Sequence, residues 1–79
     1  MPTLKCEPRE DGGYLVYDGV TLIGTIWYAR DCRVWLYALD TEARFAWQSD
    51  GTAPKKHEAA HQLKEHHDDA AKRRTPQRG

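Results

Sequence analysis

His57-Glu58-Ala59-Ala60-His61 is the run with the clearest chemical potential in this sequence. On a helix, H-E-x-x-H sets two imidazoles one turn apart on one face, where both can bind Zn²⁺. The Glu between them could polarise a metal-bound water. Catalytic zinc, however, takes three protein ligands. His67 lies ten residues after His57, and a His at that spacing reaches the metal only when the chain turns at a glycine in between. Lys64 stands at that position, and in a continuing helix His67 falls more than two turns from His57. Zincin catalysis is therefore not expected. His57 and His61 remain a metal-binding alternative, with Cys6 or Cys32 as donors from elsewhere in the chain. The plainer expectation is that His57, His61, His66 and His67 are solvated or flank the rest of the fold, and that no cofactor is needed.

No other residues are arranged as a catalytic constellation. No Gly-rich loop precedes a helix, no nucleophile sits in a recognisable elbow, and the carboxylates are scattered through turns. Size points the same way. Seventy-nine residues allow one domain, and so short a chain buries only about 60–65% of its unfolded surface. A deep substrate cleft would compete with the core for the same few apolar side chains, so a non-enzyme is expected. Charge is balanced overall but not locally. Residues 1–53 carry five basic against eight acidic side chains, a net −3, and residues 54–79 carry seven against four, a net +3. Only the C-terminal part could present the basic face that nucleic acid requires. Two cysteines are too few for a disulfide scaffold and read as thiols of a reducing compartment. No apolar run follows Met1, and none approaches the roughly 20 residues of a membrane span. A cytoplasmic protein with no membrane partner is expected.

The elements follow from the patterning. Residues 1–13, with Pro2, Pro8, Gly12 and Gly13 among charges, read as an irregular arm ending in a turn. Residues 14–17 are aromatic and branched, and Asp18-Gly19 after them signals a tight hairpin. Residues 20–28 form the next strand, with Gly24 marking a bulge or a close backbone approach. Residues 34–39 are the third strand, and 43–48 a short fourth or a continuation of the hairpin. From Pro54 the chain is rich in Ala, Lys, Glu and Gln. Thr52 could cap a helix whose first turn holds Pro54. Ala59, Ala60, Leu63 and His67 share one narrow face of it. The expected fold is α+β: an antiparallel three- to four-stranded β-meander packed on one C-terminal α-helix. One domain spans 14–72, and 73–79 is expected to be a disordered basic tail.

This order of elements resembles a known family. Ile-Gly-Thr-Ile at 23–26, Trp35 to Ala38, Phe45, and a helix opening Lys-His-Glu-Ala-Ala-His-Gln-Leu at 56–63 look like the three-strand-plus-helix modules of AP2-type and arm-type integrase DNA-binding domains. They also resemble small accessory proteins of phages and plasmids. The AP2-type resemblance implies a sheet laid in the major groove through several Arg or Lys. Here the strand region offers Arg30, Arg33 and Arg44, flanked by Asp18, Asp31, Asp40 and Glu42. The sequence departs from the family at the property that makes it bind DNA.

The strands themselves are unusually apolar. Alternation puts Leu22, Gly24, Ile26 and Tyr28 on one face and Ile23, Thr25 and Trp27 on the other; Val34, Leu36 and Ala38 oppose Trp35, Tyr37 and Leu39. Neither face is cleanly polar, and one helix covers one face. The other face needs the arm, curvature, a second copy or a partner. Trp27, Trp35, Tyr37 and Trp47 are the expected protein-binding residues, since Trp and Tyr dominate interface hot spots. The function read from the sequence is thus a small non-catalytic macromolecule-binding protein. A phage or mobile-element accessory factor acting by protein–protein contact fits it, as a homodimer or as an inhibitor of a host defence system. The alternative is a nucleic-acid-binding module using Lys55, Lys56, Lys64, Lys72, Arg73 and Arg74 on phosphates, with aromatics stacking on unpaired bases.

Overall fold

The computed structural model describes residues 4–74. Five antiparallel strands form one sheet in the order of the chain: β1 (Leu4–Pro8), β2 (Tyr14–Asp18), β3 (Thr21–Ala29), β4 (Val34–Ala38) and β5 (Gly51–Ala53). A short 3₁₀ turn, Ala46–Gln48, lies between β4 and β5, and the helix α1 (Lys56–Arg74) follows. The expected α+β meander with one C-terminal helix is the fold, extended by a strand at each edge.

Both added strands were read otherwise in the sequence. Leu4–Pro8, assigned to an irregular arm, pairs along β2 from Leu4↔Asp18 to Pro8↔Tyr14. Its alternation is there (Leu4 and Cys6 half-buried, Lys5 and Glu7 exposed) but is short and closed by proline. Residues 43–48 are not a strand. The fourth partner comes from Gly51–Ala53, which pairs Trp35↔Ala53 and Tyr37↔Gly51. Thr52 therefore lies in β5 rather than capping the helix, and α1 opens after Lys55, whose carbonyl accepts from Ala59 N at 2.9 Å. Glycine at 51 is dictated by packing, because a Cβ there would overlap the Tyr37 ring. Of the basic segment expected at 73–79, residues 73 and 74 continue the helix; residues 75–79 lie outside the described residues.

The β2–β3 hairpin turns at Gly19-Val20, with Gly19 at φ 66°, a region that glycine enters without steric cost. A bulge follows. Val16 faces Gly24, yet Tyr17 already faces Leu22, so Ile23 is the extra residue. The bulge breaks simple alternation and puts Ile23 beside Gly24 and Ile26 on the helix side, while Leu22 moves to the opposite face and is 40% exposed. The face assignment made from alternation holds in β4 and fails at these two β3 residues.

The core lies between α1 and this face. Val16, Ile23, Ile26, Ala53, Ala59, Ala60 and Leu63 are buried together, with Tyr14, Trp35, Tyr37 and Leu39 packed against them. The helix stripe Ala59–Ala60–Leu63 is the one its spacing predicts; His67 at its end is half-buried. The helix approaches closely because Gly24 lacks a side chain. A Cβ there would lie 2.9 Å from Leu63 Cδ1 and overlap the carbonyl oxygen of Ala38. Gly24→Ala is therefore expected to lower unfolding free energy by about 2 kcal/mol, read in urea unfolding as a lower midpoint with an unchanged slope. An unaltered midpoint would mean that the helix does not pack as closely as this.

Candidate functional site

The second sheet face is closed by one buried cation. Thr25, Leu36 and Ala38 point away from the helix and are almost fully buried, as is Ala43 in the β4–β5 connection. Arg9 holds these parts together. Its side chain is 8% exposed, and its guanidinium donates to Thr25 Oγ1 and, at 3.2 Å, to the carbonyl oxygen of Ala43. Thr25 in turn donates to the carbonyl oxygen of Tyr14 at 2.7 Å. Asp11 supplies the counter-charge, accepting from Arg9 through both carboxylate oxygens and from Arg44 Nη1. A buried guanidinium needs this saturation, because an unpaired charge there would cost several kcal/mol. The Arg9 hydrogen bond, above all, holds the Asp11 carboxyl well below the usual carboxylate range, helped by the Gly13 amide and by Arg44.

The connection this cluster anchors, residues 39–50, is hydrogen-bonded along its length. Asp40 accepts from Glu42 N at 2.9 Å, and Gln48 Oε1 accepts from the amides of Arg44 and Phe45 at 2.8 and 3.0 Å. Ser49 Oγ donates to Ala46 O at 2.8 Å. Asp50 closes the loop on both sides, its amide donating to Tyr37 O at 2.7 Å and its carboxylate accepting from Leu39 N at 2.8 Å. On this frame stand Phe45 and Trp47, 59% and 79% exposed. Their rings are parallel within 5°, with centroids 6.0 Å apart. Beside Phe45 runs a groove of about 520 Å³ lined by Trp27, Tyr28, Arg30 and Arg44.

The four aromatic residues expected to bind protein thus divide. Trp47 is exposed and Trp27 is half-buried in the adjoining groove. Trp35 and Tyr37 lie on the helix side as part of the packing: Trp35 sits between Tyr14 and Tyr28, at 6.1 and 5.4 Å, and Tyr37 meets His66 at 6.3 Å. Phe45 was missed as a contact residue. Its signal was an aromatic pair inside a segment rich in turn formers and charges, where no core position was needed. The Arg9–Asp11–Arg44 cluster was missed because the neighbouring Arg9 and Asp11 meet Thr25, Ala43 and Arg44, which lie 16 to 34 residues away in sequence.

The basic residues expected on phosphates stand in different settings. Lys55 and Lys72 are exposed, Lys56 Nζ stands 3.8 Å over the Tyr14 ring, and Lys64 is paired with Asp18 at 3.0 Å and Asp68 at 2.8 Å. Arg73 and Arg74 end the helix. His57 and His61 are exposed and line a groove with Cys6. Among the described residues, no group of three or more His, Cys, Asp and Glu side chains is placed to hold a metal ion. His66 Nε2 is 3.8 Å from Asp50, and His67 Nδ1 is 3.7 Å from its neighbour Asp68. Among the described residues, no helix is long and apolar enough to cross a membrane.

Because Asp11 ionises more readily folded than unfolded, its contribution to stability is complete above the unfolded carboxylate pKa of about 4 and is lost as pH falls toward the folded value. Urea midpoints should fall on acidification below about pH 4, and Asp11→Asn should flatten that fall. Arg9→Met should cost about 1–3 kcal/mol at neutral pH by leaving the Ala43 carbonyl without its donor and freeing the connection. Parallel acid profiles for the parent and Asp11→Asn would dismiss the coupling. No protein-family model, curated protein or solved structure matches this chain.

Proposed function

We propose that this chain is a non-catalytic binding protein that docks on a protein partner through the Phe45–Trp47 pair and the Trp27 groove beside it. The observation that carries this reading is a stacked aromatic pair, 59% and 79% exposed, on a connection tied down by its own hydrogen bonds and by Arg9. Large apolar rings held out in water stabilise nothing in the free chain. Rigid rings on a fixed frame lose little entropy on binding, and such anchors dominate interface energies.

The surrounding charge is mixed in sign, with no continuous basic face for a phosphate backbone among the described residues. Asp40, Glu42 and Asp50 share the connection with the rings, and Arg44 is already occupied by Asp11. The groove beside the rings adds Arg9 and Arg30, so the apolar rings stand among charges of both signs, as at the polar rim of a protein interface. The lysines of the alternative reading are spread over a helix of about 28 Å, and Lys64 is neutralised by two carboxylates.

The test compares three immobilised chains: the parent, Phe45→Ala/Trp47→Ala, and Lys55→Glu/Lys72→Glu. Surface substitutions of this kind should leave stability within about 0.5 kcal/mol. A partner protein should be retained at high salt by the parent and the lysine variant, and lost from the aromatic variant. Labelled duplex and single-stranded DNA should show no anisotropy change with any of them. Salt-sensitive DNA binding that survives loss of the rings and disappears with the lysines would replace this function with the nucleic-acid one.

A further inference from the structure

A second site lies on the opposite side of the molecule from the reading above. Helix α1 packs over β3, β4 and β5 and leaves the helix-side face of β1 partly open. The result is a groove of about 450 Å³ whose floor is Leu4, Cys6 and Ala60 and whose walls are Lys56, His57, His61 and Lys64. Its volume is that of a small-molecule site. The lining is lopsided in charge, with two ammonium groups, two imidazoles and no carboxylate.

The two lysines are not equivalent. Lys64 is satisfied by Asp18 and Asp68. Among the described residues, no carboxylate pairs with Lys56, His57 or His61. Lys56 rests on the Tyr14 ring, a contact that orients the ammonium without neutralising it. The groove therefore has an apolar floor along β1 and uncompensated positive charge at its helix N-terminal end. Its chemistry also disfavours a second copy there: pairing along the free edge of β1 would bring two such basic walls toward each other.

We infer that the groove between β1 and α1 binds a small amphipathic anion, with its apolar body on Leu4, Cys6 and Ala60 and its carboxylate or similar head group at Lys56, His57 and His61. Cys6 is a floor residue and serves as the reporter. Its thiol is half-buried, so an occupant of the groove would shield it.

The experiment uses the full chain with Cys32→Ser, leaving Cys6 as the sole thiol, and follows its alkylation by N-ethylmaleimide. Decanoate, below its micellar concentration, should slow the reaction saturably, and decyltrimethylammonium should not. Lys56→Glu should raise the decanoate concentration needed by roughly fivefold, the scale of one exposed charge pair. His61→Glu, at an exposed position outside the core, should do the same and guards against a folding defect in the first variant. Phe45→Ala/Trp47→Ala should leave protection unchanged, so this site stands or falls separately from the protein-docking surface. Equal protection by both amphiphiles, or by neither, overturns the inference. So does a thiol that becomes protected with protein concentration alone, which would give the groove to a second copy.

Discussion

The guanidinium of Arg9 is the constraint on which the arrangement of this small fold turns. A sheet with one helix has a second apolar face to hide, and this chain has too few residues for another layer. Arg9 solves that by binding the connection between β4 and β5 down onto the face. Its hydrogen bonds reach Thr25 in β3 and Ala43 in the connection, while Asp11 neutralises it from the β1–β2 turn. Three segments distant in sequence are joined at one charged group. Ala43, Ala38 and Leu36 are buried beneath the result. The polar closure is demanding, since every donor must be matched in a poorly solvated place.

The same closure explains why aromatic rings are presented rather than absorbed. Once Ala43 is seated, the residues after it must run outward across the edge of the groove, and the Gln48 side chain fixes their turn through two backbone amides. Phe45 and Trp47 then have no core to enter. The helix side operates differently. There the close approach of Leu63 to Gly24 sets the depth of the helix, and the bulge turns Ile23 into the core beneath it. Small alanines on the helix and a glycine in the strand bring backbones together, and Tyr14, Trp35 and Tyr37 fill the periphery. The two sides of the sheet thus have different physics: apolar contact at close range on one, a charge network on the other. One leaves an open basic groove along β1, and the other an aromatic platform beside a groove lined by Arg30 and Arg44.

The local rules in this sequence were legible where they depend on neighbours. The Asp18-Gly19 turn, the run at 14–17, the run at 34–39 as far as Ala38, the irregular role of Gly24 and the apolar stripe Ala59–Ala60–Leu63 follow from backbone sterics and periodicity, and each is in the structure. So does the spacing of His57 and His67, more than two turns apart on one continuous helix. These features involve residues within a few positions of one another, so one-dimensional patterning contains them.

Tertiary structure alone decided the rest. Leu4–Pro8 and Gly51–Ala53 are strands because β2 and β4 offer edges to them; in isolation each is too short, and too close to proline or glycine, to declare itself. The extra residue at Ile23 moved Leu22 to the far face, a one-residue shift that alternation cannot anticipate. Trp35 and Tyr37 became packing residues while Phe45 and Trp47 became surface, although all four are aromatic. Composition determined that large rings would outnumber the places to bury them. Which rings remained outside depended on Arg9 meeting Thr25 and Ala43, contacts spanning 16 and 34 residues of chain. Their partners are fixed by three-dimensional closure, and no local pattern encodes them.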